Sequence, residues 1–311
     1  MKKILVTGGA GYIGSKLVTK LLSQNFHVTV LDSLKFSGRS LNHLYKYKNF
    51  TLIKGDVRNY KLVKKLLKNN EFIIPLAALV GAPLCEKNKK EAISVNLESI
   101  KYMMKNFKRH NKIIYLTTNS GYGIGEKNKY CDERSPLNPI SLYGTTKVDA
   151  EKVVMKNKNS IGFRLATVFG YSFRMRTDLL VNNFVYRSVH EKKIKIFEPH
   201  FRRNYVHIDD VVDGILFSIL NFNKLRSQIY NLGLSSANLT KIMLAKKIKK
   251  QLPFLKISVI KNRKDPDQRD YYVSNKKIEK KGFAAKVKLE DGIKELISVF
   301  TNSNEKIINN Y

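Results

Sequence analysis

The chain has 311 residues, 43% of them hydrophobic, and a formal charge of +33 from 58 Lys and Arg against 25 Asp and Glu. Such a length buries a large core and favours one large unit with a smaller appendage. Two cysteines, Cys85 and Cys131, exclude a disulfide framework and lack metal-ligand spacing, so free thiols and no metal are expected. No segment approaches about 18 uninterrupted apolar residues. The apolar start runs at once into glycines without a signal-cleavage pattern, so a cytoplasmic protein with no membrane partner is expected. The lysines are spread along the chain, and Lys246-Lys-Ile-Lys-Lys250 reads as the polar face of a helix rather than a nucleic-acid patch.

The predicted elements alternate short β-branched runs with amphipathic stretches. A strand at 3–7 meets the glycine loop Thr7-Gly-Gly-Ala-Gly-Tyr-Ile-Gly14 and a helix at 13–23; a strand at 27–31 ends in Asp32. A strand at 50–54 precedes Gly55-Asp56-Val57, a helix follows at 61–68, and a strand at 72–76 runs into Leu76-Ala77-Ala78. A helix at 90–107 carries Asn96, a strand at 112–117 is closed by Thr118, Asn119 and Ser120, and a helix at 142–156 leads to a strand at 160–165. This order predicts an α/β fold with a doubly wound parallel sheet, whose ligands bind outside the carboxyl ends of the strands. After about residue 167 the alternation fades, which suggests a smaller domain. Residues 204–210 read as a strand and a capped helix start returning to the main sheet.

The glycine loop follows a strand and opens a helix, the context in which such a loop cradles a dinucleotide. Gly8 serves the turn, Gly11 lets backbone approach a pyrophosphate and Gly14 permits close helix packing, with Tyr12 and Ile13 opening the helix. Asp32 is placed to accept both ribose hydroxyls and to repel a 2′-phosphate, which favours NAD over NADP, although Lys35 and Arg39 lie nearby. Asp56 with Val57 is placed near an adenine. Tyr143 and Lys147, at i and i+4, share a helix face. A free tyrosine has a pKa near ~10, and each unit of lowering takes ~1.4 kcal/mol of anion stabilisation, here expected from Lys147 and an oxidised nicotinamide. Thr118 would hold a substrate oxygen while Tyr143 takes its proton. Arg174, Arg176, Arg203 and Arg269 suit phosphate and nucleobase edges, with structural salt bridges as the competing reading. His207 and Asp209 read as structural.

Thr7–Gly14, Asp32, Gly55-Asp56, Leu76-Ala-Ala78, Asn96, the Thr117–Gly123 stretch and Tyr143–Lys147 together resemble the extended short-chain dehydrogenase/reductase family that acts on nucleotide sugars. The resemblance implies a Rossmann domain binding NAD (residues 1–166) and a nucleotide-sugar-binding domain (167–311, with a segment near 204–230 returning to the first). It implies Thr118, Tyr143 and Lys147 as the catalytic set, with Tyr143, Lys147 and Asn96 also contacting the cofactor and Asn96 supporting the geometry of the site. Leu76, Ala77 and Ala78 are implied on the cofactor side; Asn119, Ser120 and Asn182, the last on a diphosphate, on the substrate side. It also implies a homodimer through helices 90–107 and 142–156, where Val148, Val153 and Val154 either pair the subunits or face the sheet. Dehydratases of this family carry acid groups at the positions of Asn119 and Ser120, so dehydration is disfavoured. Pro75 replaces a usual histidine, and nothing in the sequence explains it. Residues 75–85, 119–127, 201–207 and 231–240 are similar to the GDP-D-glycero-D-manno-heptose 4-dehydrogenase type of surface-polysaccharide synthesis, with a 4-epimerase as the alternative outcome. The alternative of another class is a catalytically idle, basic nucleic-acid-binding member.

Overall fold

The computed structural model describes residues 1–126, 129–260 and 269–302. Lys127, in one of the stretches above, and residues 303–311 of the expected second domain lie outside the described residues. Seven strands, β1 (Lys3–Thr7), β2 (His27–Asp32), β3 (Phe50–Lys54), β4 (Phe72–Pro75), β5 (Lys112–Thr118), β6 (Ser160–Leu165) and β7 (Gln228–Leu232), form one parallel sheet in the order β7-β6-β5-β4-β1-β2-β3. Side chains alternate across it: Ile4 and Val6 pack with Leu17, Leu21 and Val211 on one face, and Leu5 packs with Leu66, Ile73 and Val154 on the other. Both faces are covered, so these strands read as continuous apolar runs rather than alternating ones. The chain leaves β1 towards β2 on one side and later resumes at β4 on the other, which opens a crevice at the carboxyl ends of those two neighbours.

The predicted helix at 90–107 is broken into Lys89–Ile93, a π turn at Ser94–Glu98 and Ser99–Lys105, and a short helix not among the predicted elements, Ala82–Lys87, precedes it. Asn88, with φ −128° and ψ 55°, separates Ala82–Lys87 from Lys89–Ile93. The π turn carries Asn96 and Val95 inward, a local widening common at functional sites.

Beyond β6 the elements are short. Arg202–His207 pairs with Thr167–Phe169 and Asn238–Thr240 in a three-stranded sheet and does not join the main one. The correction to the reading of 204–210 is therefore local: the following helix, Ile208–Leu220, packs its Val211 and Ile215 beneath the main sheet, and the strand that enters that sheet is β7. Two further parallel pairs are Lys193–Phe197 with Lys256–Ile260 and Tyr130–Cys131 with Tyr272–Val273. A separate core of Val181, Val185, Tyr205, Leu244 and Ile293 holds this region. Lys246, Lys249 and Lys250 lie exposed on the helix Lys241–Gln251, opposite buried Leu244, Ala245 and Ile248. Among the described residues no helix is long and apolar enough to cross a membrane.

Candidate active site

A cavity of ≈ 530 Å³ opens over the carboxyl ends of the strands, walled by the sheet loops on one side and by the short-sheet region on the other. Gly8, Gly11, Tyr12, Ile13 and Gly14 line one end of it. Gly8 has φ +73°, and a Cβ there would lie 2.5 Å from the Ala77 nitrogen. A Cβ on Gly14 would lie 2.3 Å from the Gly8 oxygen, whereas at Gly11 it would meet only that oxygen, at 3.1 Å. The loop is thus closed behind and bare in front. The helix Tyr12–Ser23 starts from Gly11 with no side-chain cap and no acidic residue in its first turn, which leaves its positive end to the cavity. This cradle fits the pyrophosphate of a dinucleotide.

Asp32 accepts the Ala10 N–H at 2.9 Å and the Leu34 N–H at 2.8 Å, one on each oxygen, and lines the cavity. Each oxygen keeps a lone pair for a ribose hydroxyl. Its burial pushes the pKa up, against those two bonds. Lys35, a possible 2′-phosphate ligand in the sequence, donates to both Glu91 oxygens at 2.9 Å. Asp56 and Val57 line the cavity too, but both Asp56 oxygens are held by Arg58, at 2.9 and 2.6 Å, which lowers the carboxyl pKa. Leu76, Ala77 and Ala78 form the floor beside Pro75, which pairs in register with Thr7.

Asn96 requires a correction as a cofactor contact, though not as a support: it is buried and absent from the cavity wall. Its Oδ1 accepts the Leu79 N–H at 2.8 Å while its Nδ2 donates to the Leu79 oxygen at 2.9 Å and reaches Thr146 Oγ1 at 3.4 Å. It therefore ties the floor loop to the helix Leu142–Met155. Cys85 sits in the same knot, its Sγ 3.4 Å from the Leu79 oxygen, and burial pushes its pKa up to about 11. Cys131 is likewise a buried free thiol.

Thr118, Tyr143 and Lys147 share the cavity wall. Thr118 ends β5, and its Oγ1 accepts the Ser120 N–H at 3.1 Å and lies 2.7 Å from Ser120 Oγ. Ser141 caps the helix by accepting the Gly144 N–H, which fixes where Tyr143 emerges. The expected lowering of the Tyr143 pKa is not supplied by the chain. Burial pushes the phenol up to about 12, with Cys85 adding to the rise and Arg176 and Arg269 opposing it. Lys147 is itself buried, which lowers its pKa to about 7 although Glu151 works the other way. Its ammonium rests 4.2 Å from the Tyr115 ring centroid, a cation–π contact. Glu151, one turn further on, is committed to a buried ion pair with Arg164 at 2.7 Å. Tyr115 and Glu151 were missed in the sequence. A tyrosine facing the same way as Thr117 on β5 and an acid at i+4 from Lys147 were the available signals.

All four arginines line the opposite wall. Arg176 pairs with Asp178, both nearly buried. Arg174 donates to the Met175 oxygen at 2.6 Å and lies 5.5 Å from the Phe36 ring centroid, and Arg203 donates to the Arg202 oxygen at 2.9 Å. Arg269 donates to Ser120 Oγ. Ser120 lines the cavity; Asn119 does not, being buried with neither amide atom hydrogen-bonded among the described residues, which corrects its reading as a substrate residue. Asn182 is corrected as well. Its Oδ1 accepts the Gly170 N–H at 3.1 Å and its Nδ2 donates to the Arg176 oxygen at 2.9 Å and to Tyr12 Oη at 3.2 Å, off the cavity wall. The neighbouring Asn183 is the one on the wall. His207 is bonded to Glu295 at 2.9 Å, and Asp209 to Lys16 at 2.7 Å.

Residues 4–233 match the model of the NAD dependent epimerase/dehydratase family. A protein of Bacillus subtilis (strain 168) called uncharacterized UDP-glucose epimerase YtcB is 30% identical over 74% of this chain and 76% of its own length. An Arabidopsis thaliana trifunctional UDP-glucose 4,6-dehydratase/3,5-epimerase/reductase, RHM2, is 26% identical over 98% of this chain, which spans about half (48%) of that relative. The UDP-glucose 4-epimerase of Thermotoga maritima, solved with UDP-glucose, superposes with a TM-score of 0.85 at 24% identity over 97% of this chain and 100% of that one, a likeness of fold.

Proposed function

The chain belongs to the NAD-dependent epimerase/dehydratase family, and from that membership we propose that it oxidises C4 of a nucleotide-diphosphate sugar. The observation that carries this is the convergence of Thr118, Tyr143 and Lys147 on one cavity wall, with Ser120 rather than a carboxylate beside them. Bound NAD supplies the two-electron acceptor for the carbinol carbon. Gly8, Gly11 and Gly14 hold its pyrophosphate, Asp32 its ribose, and Asp56 and Val57 its adenine end, above the floor of Leu76, Ala77 and Ala78. Thr118 hydrogen-bonds the substrate oxygen and Tyr143 exchanges that oxygen's proton. Arg176 and Arg269 bias the phenol towards the anion against the burial that raises it, and Lys147, one turn along the same helix, holds the ribose beside it. Arg174, Arg176 and Arg203 face the diphosphate. In this reading residues 1–166, with the helix Ile208–Leu220 and β7 that return to the main sheet, form the coenzyme-binding domain, and the remainder grips the nucleotide sugar.

Two outcomes share that first step. A 4-epimerase returns the ketosugar to the alcohol on its other face, and the relatives' names support it. A 4-dehydrogenase of the GDP-manno-heptose type releases the ketosugar, and the four stretches noted in the sequence support that. Incubation with UDP-glucose, UDP-glucuronate and GDP-manno-heptose, read by C4 configuration and NADH, separates them: inversion without net NADH, or a ketosugar with stoichiometric NADH. Tyr143→Phe is expected to lose about 10³-fold or more in turnover with binding retained; substantial residual oxidation removes Tyr143 from the role of base.

A homodimer belongs to the same reading. Val148 and Val154 are buried within the chain and do not supply it. Ile93, 40% exposed, and the Tyr60–Tyr102 stack remain on the outer helices. Sedimentation is expected to give twice the chain mass, and a monomer at micromolar concentration would remove the dimer from the proposal.

A further inference from the structure

Arg269 reaches the reacting end of the cavity, and its neighbours hold it there. Asp270 accepts from the Arg202 N–H at 2.8 Å and from Arg202 Nε and Nη2 at 2.8 and 3.0 Å, and its own carbonyl accepts the Gly125 N–H at 2.9 Å. The segment carrying Arg269 is thus fastened both to the strand Arg202–His207 and to the loop that follows the short turn Asn119–Tyr122. From that anchor Arg269 Nη1 donates to Ser120 Oγ, and Ser120 Oγ lies 2.7 Å from Thr118 Oγ1.

The direction of this chain of bonds follows from the donors available. A guanidinium only donates, so Ser120 Oγ receives a hydrogen bond and has one proton to give. Pointing that proton at Thr118 aligns both O–H dipoles head to tail, away from the cation. The reverse would aim the Thr118 proton at an oxygen already facing the guanidinium. Thr118 Oγ1 then accepts twice, from the Ser120 N–H at 3.1 Å and from Ser120 Oγ–H, and its own proton is left for the cavity it lines.

We infer that Arg269 is a positioning residue that acts through Ser120 to lock Thr118 as a hydrogen-bond donor to the oxygen on the reacting carbon. The inference rests on the C4-oxidation reading above and replaces the reading of Arg269 as a diphosphate ligand. A donor locked at that oxygen leaves Tyr143 as the group that accepts the alcohol's proton, so the two side chains cannot exchange roles. A carboxylate at position 120 would accept from Arg269 and have no proton to pass to Thr118, so the relay needs a hydroxyl there. The guanidinium also lies close enough to pull the Tyr143 pKa down.

The test compares Arg269→Met, Arg269→Lys, Ser120→Ala and the Arg269→Met/Ser120→Ala pair, each with NAD and whichever of UDP-glucose, UDP-glucuronate or GDP-manno-heptose the unmodified protein turns over. UDP and GDP affinities are measured by calorimetry. Arg269→Met and Ser120→Ala are each expected to lower kcat by about 100-fold, with UDP or GDP affinity within threefold. The double variant is expected to lose no more than either single one, and Arg269→Lys to recover much of the rate. The relay is overturned if Arg269→Met weakens UDP or GDP binding tenfold with kcat intact, if Ser120→Ala keeps full kcat, or if the two losses multiply. Inactivity of the unmodified protein on every nucleotide sugar would overturn the C4-oxidation reading and the relay with it. That result is distinct from an active protein with unaffected variants.

Discussion

The two walls of the cavity are made of different material. On the sheet side the surface is largely backbone and small residues, Gly8, Gly11, Gly14 and Ala77, placed by strands whose apolar alternation leaves little choice of register. On the other side it is guanidinium groups from short loops, and their directions are set by partners nearby: Asp178 for Arg176, main-chain oxygens for Arg174 and Arg203, Ser120 for Arg269. A wall of backbone offers shape and fixed N–H dipoles, whereas a wall of paired arginines offers charge whose aim depends on what else each arginine holds. The first suits an invariant group such as a pyrophosphate, and the second suits a substrate that differs between members of one family.

The sheet wall should therefore be the more brittle. Gly14→Ala puts a methyl 2.3 Å from the Gly8 oxygen and 2.7 Å from the Gly9 Cα, where backbone must move to admit it. Overpacking of this kind costs about 1–3 kcal/mol or more. The variant is expected to lower the urea midpoint by at least that equivalent and to abolish NAD binding by fluorescence titration. NAD affinity within threefold of the unmodified protein would show that the cradle yields and that the contrast between the walls is wrong.

Legibility in the sequence divides along the same line. Strands β1 to β6 were readable to within a residue at each end, because parallel strands buried on both faces give long β-branched runs bounded by turn residues. That Thr118, Tyr143 and Lys147 meet at one cavity wall was readable because a strand end and an i, i+4 pair leave little freedom in where the side chains go. Asn182 and Asn183 show the opposite case. Successive helix residues differ by about 100° around the axis, and nothing in two adjacent asparagines tells which turns inward; Asn182 does, and Asn183 faces the cavity. The π turn around Asn96 likewise leaves no mark on an otherwise helical pattern. At Tyr143 the sequence shows charges that can be counted but not the burial that works against them, and in the ligand-free chain burial is the larger effect.

Lys147 tests the contrast most finely, since it is a buried cation on the sheet wall, and it titrates where the arginines opposite cannot. Burial lowers its folded pKa to about 7, against ~10.4 in an unfolded chain. Between those values the unfolded state binds more protons, so the ligand-free protein should gain stability as pH rises from about 7 towards 10. Below about 7 both states are protonated and the full cost of the buried ammonium is present. Lys147→Met removes that cost: its stability advantage over the unmodified protein should be largest near pH 6 and smaller by about 3 kcal/mol at pH 9. The Tyr115 ring beneath the ammonium opposes the effect by favouring the charged form, so replacing Tyr115 with leucine should widen the gap at pH 6. Urea unfolding at the two pH values reads both quantities. A gap independent of pH would mean that Lys147 keeps its proton throughout, and that the sheet wall carries a charge as permanent as the one across the cavity.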